Sequence, residues 1–247
     1  MTDFSDFSKR IKPDWASSLT DVLARAKATG PKGVLAFDLD STVFDNRARQ
    51  VRILSEYGRF KNLAPLIASH VDHWKSGWDL KGAMMAAGMA DAEAEQLYKE
   101  AKAFWAERFF TSEYCIEDTE IAGAAAFLHA SVATGAQVVY VTGRHEAMRA
   151  GTVACLKKCG MPLPGGTVSL LMKPTLKEDD DVYKRAAHQK LEQMGTVIAA
   201  FDNEPNHAND YARRFPQAAI IHLNTDHSGR TLELEPRIVT IPHFAMK

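Results

Sequence analysis

Four short apolar runs, residues 34–37, 137–141, 196–201 and 218–223, each stop at a polar cluster. The clusters are Asp38-Leu39-Asp40, Thr142-Gly143-Arg144, Asp202-Asn203-Glu204 and Asn224-Thr225-Asp226. Apolar runs this short and continuous predict strands buried on both faces. Helical patterns at 14–29, 118–133, 145–159, 182–194 and 204–214 lie between or beside them, a weaker strand pattern covers 168–172, and 238–241 can add an edge strand. Alternation of this kind predicts right-handed crossovers and therefore an α/β fold with a doubly wound, mostly parallel sheet, whose ligands bind at the carboxyl edge of the strands. The polar clusters stand at that edge.

Residues 46–114 break the alternation. They show no strand pattern but several helical ones, among them 90–109, where Ala94, Leu97, Tyr98, Ala101, Phe104 and Trp105 recur at helical spacing. The pattern predicts a helical subdomain inserted into an α/β core made of 1–45 and 115–247. Because the insertion begins just after Asp38-Leu39-Asp40, it is expected to stand over the carboxyl edge as a lid. Most of its aromatic residues, Tyr57, Phe60, Trp74, Trp78, Phe104 and Trp105, are expected in its core. A minority is left to stack on a substrate ring, with one of Arg47, Arg49, Arg52, Arg59 or Lys61 meeting the substrate's charge.

Composition excludes several functions. The 247 residues are 46% apolar and 25% charged, as in an ordinary globular protein. Thirty Lys and Arg against 31 Asp and Glu leave a formal charge of -1, which argues against a chain built to coat nucleic acid or anionic lipid. Cys115, Cys155 and Cys159 are too few for a disulfide framework and suit a reducing compartment; with no His or Cys at zinc-ligand spacing, they read as small buried residues. The start of the chain is polar, with Asp3 and Asp6 where a secretory signal has basic and then apolar residues, and a cytoplasmic protein is expected.

Asp38 and Asp40 lie two apart directly after a buried strand, which holds both carboxylates at one end of the sheet against their mutual repulsion. A cation relieves it. With Asp202 supplying a third carboxyl oxygen, the donor set suits Mg²⁺ better than zinc. Asp38 is then the ionised nucleophile, and repulsion raises the pKa of Asp40 so that it can donate a proton. The negative charge of a transferring phosphoryl group must be met by cations and donors, for which Thr142, Gly143 and Lys184 are the candidates. Lys173, at a strand end, competes with Lys184. His145, His207 and His222 have no part that aspartyl chemistry requires.

The pieces Phe37-Asp38-Leu39-Asp40-Ser41-Thr42-Val43, Val139-Tyr140-Val141-Thr142-Gly143-Arg144, a later lysine and Phe201-Asp202-Asn203-Glu204 resemble, in that order, the four motifs of the haloacid dehalogenase superfamily. The resemblance spans residues 30–225, with the helical insertion where that family carries its cap. It implies that Asp38 attacks phosphorus to form an aspartyl-phosphate, and that Asp40 protonates the leaving oxygen and then activates water. It also implies that the side chains of Asp38 and Asp202 and the backbone carbonyl of Asp40 bind Mg²⁺. An Asp at position 40 resembles the phosphatase branch, and Lys184 matches that branch better than Lys173. The fourth motif often has a second acidic residue close to the first; here Asn203 follows Asp202, leaving Glu204 and Asn206 as candidates for a supplementary metal contact. The expected function is Mg²⁺-dependent hydrolysis of a small phosphorylated metabolite, with a bell-shaped pH dependence set by Asp38 and Asp40 as a coupled pair. The alternatives are phosphoryl transfer to an acceptor other than water and a non-catalytic phosphate or nucleotide sensor.

Overall fold

The computed structural model describes residues 7–230 and 232–246, so the polar start with Asp3 and Asp6 lies outside the described residues. In chain order the strands are β1 Gly33–Phe37, β2 Phe44–Asp45, β3 Thr119–Glu120, β4 Gln137–His145, β5 Val168–Lys173, β6 Thr196–Asp202, β7 Ala219–Leu223 and β8 Val239–Ile241. The α-helices are α1 Trp15–Thr29, α2 Arg47–Lys61, α3 Ala64–Ile67, α4 Leu80–Ala86, α5 Asp91–Phe109, α6 Ala124–Ala133, α7 Arg149–Lys158, α8 Asp180–Met194 and α9 Pro205–Arg214. They form two compact units, one running up to Phe44 with Glu120–Glu146 and from Leu156 on, the other comprising Asp45–Thr119 and Ala147–Cys155. The sequence pattern drew the helical unit as the single stretch 46–114. The unit found takes in 147–155 as well.

The first unit is the α/β one. Its six strands run in the order β5-β4-β1-β6-β7-β8, and every pairing is parallel. The chain starts at β1 in the middle, builds β4 and β5 to one side, then β6, β7 and β8 to the other. The order therefore reverses at β1, and a reversal opens a crevice at the carboxyl ends of the flanking strands. β1 is buried at all five positions and alternates its side chains between two faces. Val34 and Ala36 join Ala187 and Leu191 of α8 and Ala208 and Tyr211 of α9 in one core. Phe37 lies on the other face, stacked on Phe201 of β6 at 4.4 Å and edge-on to Phe127 of α6 at 6.1 Å. Burying rings of this size contributes about 1.5–3 kcal/mol each, so this aromatic cluster fixes the strand that carries Asp38.

Two helices start later than the periodicity predicts. The apolar pattern from 118 becomes helical only at Ala124, because Ile121 donates its N–H to Val43 O and Gly123 takes φ 80° before the helix. The pattern from 145 becomes helical at Arg149, because Thr142-Gly143-Arg144 stays in β4, whose pairing with β5 shifts register between Thr142 and His145. Such an irregularity re-aims side chains at a strand end.

His188, buried on α8, lies 4.5 Å from the ring of Tyr211 and 5.4 Å from that of Phe215. Burial pushes its pKa down to about 4. Between about pH 6.5 and 4 the unfolded chain binds this proton and the folded chain does not, so stability falls as pH falls through that window. The expected loss is on the order of 2–3 kcal/mol. His188→Leu flattens that part of the profile, read as the difference in urea midpoint between pH 7 and pH 4.5; an unchanged slope contradicts it.

The second unit is helical. Tyr57, Trp74 and Trp105 are buried in its core with Ile53, Leu54, Leu66 and Met84, whereas Phe60 and Trp78 are exposed. Arg49 and Asp118, both with side chains at 0% exposure, form a buried ion pair, and Arg49 also donates to Phe109 O. Residues 147–155 belong here because the backbone of Gly151 presses on Ser112. A Cβ at Gly151 would lie 1.8 Å from Ser112 O, and its N–H donates to Ser112 Oγ at 2.6 Å. Among the described residues no helix is long and apolar enough to cross a membrane.

Candidate active site

Asp38 is the first residue beyond β1, and its N–H donates to Phe201 O at 2.9 Å, extending the pairing with β6 by one bond. The chain then turns tightly. Leu39 O accepts from the N–H groups of Thr42, Val43 and Phe44, and Ser41 takes a left-handed φ of 57°. Asp202 closes β6 beside it, buried like Asp38.

Lys184 comes from α8, whose start is capped by the Asp179 side chain accepting from Val182 N–H. Tyr183, Lys184, Ala187, His188 and Leu191 make the buried face, so Lys184 points into the unit despite a helix rich in charge. Its ammonium donates to Asp38 Oδ1 at 2.7 Å and to Asp202 Oδ2 at 2.8 Å. One cation thus serves two carboxylates, with all three groups buried. Burial pushes Asp38 up to about 7; Lys184 opposes the rise, and Asp202 and Asp40 add to it. Burial also acts to raise Asp202, but Lys184 and His207 outweigh it and hold that carboxyl far below the usual range. Burial acts to lower Lys184, and the two carboxylates raise it well above its ordinary value.

The Asp40 carboxylate meets Arg144, whose Nε donates to Oδ2 at 2.8 Å and whose NH2 donates to Oδ1 at 2.7 Å, a two-pronged pairing of the kind Arg makes best. Asp38 and Asp202 share the Lys184 ammonium, and the Asp40 side chain pairs with Arg144. Among the described residues no three His, Cys, Asp or Glu side chains group as a metal site. The Asp38–Asp40 repulsion is offset by two protein cations on separate elements.

Thr142 is fully buried, and its Oγ1 accepts from Arg144 N–H at 3.2 Å. No described bond uses its O–H as donor. A Cβ at Gly143 would lie 2.7 Å from Asp180 Oδ2, so a larger residue there would displace the Asp180 side chain. Asp180 is held in turn by buried Lys173, which also donates to Glu178 O at 2.9 Å. Lys173 thus fixes the start of α8, and Lys184 occupies the acidic cluster.

Sequence reasoning missed several residues. Thr42 Oγ1 lies 3.1 Å from Asp38 Oδ2 and 3.0 Å from Asn203 Oδ1. His207, at the start of α9, donates from Nε2 to Asp181 Oδ1 at 2.9 Å and faces Asp202 Oδ1 with Nδ1 at 3.5 Å. Its one sequence signal is its place in the helical turn after Asp202. Glu204, considered for the metal, donates its N–H to Asp202 Oδ1 at 2.9 Å, and its carboxylate accepts from Ser228.

The donor chemistry suits Mg²⁺. Both converging side chains offer hard oxygens, and the shared ammonium shows that one oxygen of each can reach a single cation. Asn206 Oδ1, on the first turn of α9, is a buried oxygen with no hydrogen-bond donor.

A family model described as HAD superfamily, subfamily IIIB (acid phosphatase), matches residues 93–207, which include Thr142, Lys184 and Asp202. No curated protein matches the chain. Among solved structures, a haloacid dehalogenase-like hydrolase from Burkholderia xenovorans LB400 is similar with a TM-score of 0.51 at 11% identity, over 87% of this chain and 96% of that one. CbbY from Rhodobacter sphaeroides, solved with phosphate, gives a TM-score of 0.46 at 16% identity, covering 87% and 95%. A class C acid phosphatase from Bacillus anthracis, with tungstate bound, gives 0.42 at 15%, covering 80% and 67%.

Proposed function

We propose that the chain is a phosphatase of the haloacid dehalogenase superfamily, and that it hydrolyses a small phosphorylated metabolite with Mg²⁺ through an aspartyl-phosphate on Asp38. The observation that carries the reading is the Lys184 ammonium at 2.7 and 2.8 Å from carboxylates that end two different strands.

In this reading an Asp38 oxygen attacks phosphorus while the ester P–O bond breaks, and Asp40 gives the leaving oxygen its proton. Water then attacks the phosphorus of the aspartyl-phosphate, Asp40 takes a proton from that water, and the Asp38 carboxylate is released with inorganic phosphate. Lys184 and the Thr142 hydroxyl meet the charge on the transferring group, with Gly143 letting the backbone come close. Arg144 aims the Asp40 carboxylate. Asp38, Asp202 and the backbone carbonyl of Asp40 would hold Mg²⁺, which when bound adds positive charge that favours the ionised form of Asp38 and polarises the phosphoryl group. The helical unit, by its insertion point in the chain, is assigned the part of a cap. The sparse cysteines, Cys115, Cys155 and Cys159, support a cytoplasmic setting.

The test is a panel of phosphorylated metabolites with Mg²⁺, and with EDTA as control. Release of inorganic phosphate that EDTA abolishes is expected. Binding of Mg²⁺ with no turnover of any ester moves the assignment to a sensor, and phosphate captured by added alcohols in preference to water moves it to a transferase.

A further inference from the structure

The segment after β7 is tied to the residues that surround the acidic cluster by one bond after another. Thr225 Oγ1 donates to Ser41 O, in the turn after Asp40. Asp226 O accepts from Asn203 Nδ2 at 2.6 Å. Ser228 donates from N–H to Glu204 Oε1 at 2.8 Å and from Oγ to Oε2 at 2.7 Å. Arg230 donates to Asp181 Oδ2 at 2.7 Å. A loop that merely closed over the surface has no need to end on these positions.

Two lines run inward from these anchors. A backbone carbonyl only accepts, so Asp226 O fixes the amide nitrogen of Asn203 toward itself and turns Asn203 Oδ1 toward Thr42. The buried Thr42 hydroxyl, with one hydrogen, is pinned between that oxygen and Asp38 Oδ2, at 3.0 and 3.1 Å. The second line passes through Glu204, whose carboxylate grips Ser228 while its backbone N–H holds Asp202 Oδ1. Both Glu204 carboxylate oxygens are engaged by the segment.

We propose that residues 225–230 form a strap that positions Asp38 and Asp202, acting through Asn203 and Glu204, and that Glu204 is the strap's anchor and not a metal ligand. The proposal rests on the phosphatase reading for what the two aspartates do, and on these bonds for how they are held. Small displacements of reacting groups are costly, about 10²-fold in rate per ångström.

The experiment uses the full chain and two variants, Ser228→Ala, which removes one of the two bonds to Glu204, and Glu204→Gln, which keeps the shape and removes the charge. Four quantities are read: the rate of trypsin cleavage after Arg230, the Kd for Mg²⁺ alone, the Kd for beryllium fluoride with Mg²⁺ as mimic of the phosphorylated aspartate, and kcat and KM. Both variants are expected to be cut about ten-fold faster, the opening expected when one hydrogen bond to a charged group is lost. Beryllium fluoride affinity and kcat are expected to fall about ten-fold in both, with KM within two-fold of the parent and any change in the Mg²⁺ Kd the same in the two variants. Unchanged cleavage overturns the anchoring. Faster cleavage with unchanged beryllium fluoride affinity overturns the positioning. Weaker Mg²⁺ binding in Glu204→Gln alone makes Glu204 a ligand and also overturns it. A parent chain that binds beryllium fluoride but turns over no ester removes the phosphatase reading, and the strap is then judged on beryllium fluoride affinity; a parent that binds none ends both.

Discussion

Asp38→Asn is expected to lower kcat by a factor on the order of 10⁴ or more, the scale seen when a nucleophile is removed from a preorganised site, while the folded state holds or gains stability. An amide oxygen does not make the covalent bond to phosphorus, and its nitrogen adds nothing in return. The stability half of the prediction follows from burial. Asp38 is buried, and that burial pushes its carboxyl up to about 7, so the folded state bears a cost for keeping charge there. Asparagine keeps the volume and an acceptor for Lys184, which retains Asp202 at 2.8 Å. Steady-state turnover of the best ester in the panel and a thermal melt of the same preparation test both halves. Turnover near that of the parent eliminates Asp38 as nucleophile. A collapsed melt makes its role structural.

Lys184→Met is expected to damage both properties at once. It takes the one ammonium from between two buried carboxylates, and removing one partner of a buried charged set destabilises by about 3–5 kcal/mol. Losing a preorganised charge at the transferring group costs about 2.7–4 kcal/mol of transition-state stabilisation, a factor on the order of 10²–10³ in kcat. The two halves separate on adding Mg²⁺. A divalent ion that binds the carboxylates stabilises the folded chain by mass action, and it does so more in the variant, where no ammonium competes for the same oxygens. The melting midpoint of Lys184→Met should therefore rise with Mg²⁺ by more than that of the parent, without recovery of kcat. Equal midpoints for parent and variant in metal-free buffer contradict the pairing.

Much of this was legible in the sequence, for identifiable reasons. The strand before Asp38 is a continuous apolar run with an abrupt acidic end, and local composition suffices to read it. Lys184 is legible because Tyr183, Ala187, His188 and Leu191 share its helical face. The partner of Asp40 was not legible, because a local repulsion argument does not say which cation relieves it and Arg144 lies 104 residues on. His207 and the strap at 225–230 were illegible for a related reason. Neither carries a periodicity, and each gains meaning only from partners that the fold brings in, Asp181 for the one and Glu204 for the other. The inclusion of 147–155 in the helical unit turns on a single backbone approach at Gly151, which no hydropathy pattern records.

The buried Arg49–Asp118 pair joins residues 69 apart, near the beginning and the end of the long helical excursion. An excursion knotted at its own mouth behaves, for the sheet it interrupts, as a short connection: the entropy of holding its ends together is met inside the excursion. The same knot sets an order of events on synthesis, since Arg49 has no carboxylate to bury against until the chain has been made as far as Asp118. Lengthening or trimming the segment between the two helix ends and this knot should therefore be tolerated far better than any change that leaves one of the two charges sealed in alone.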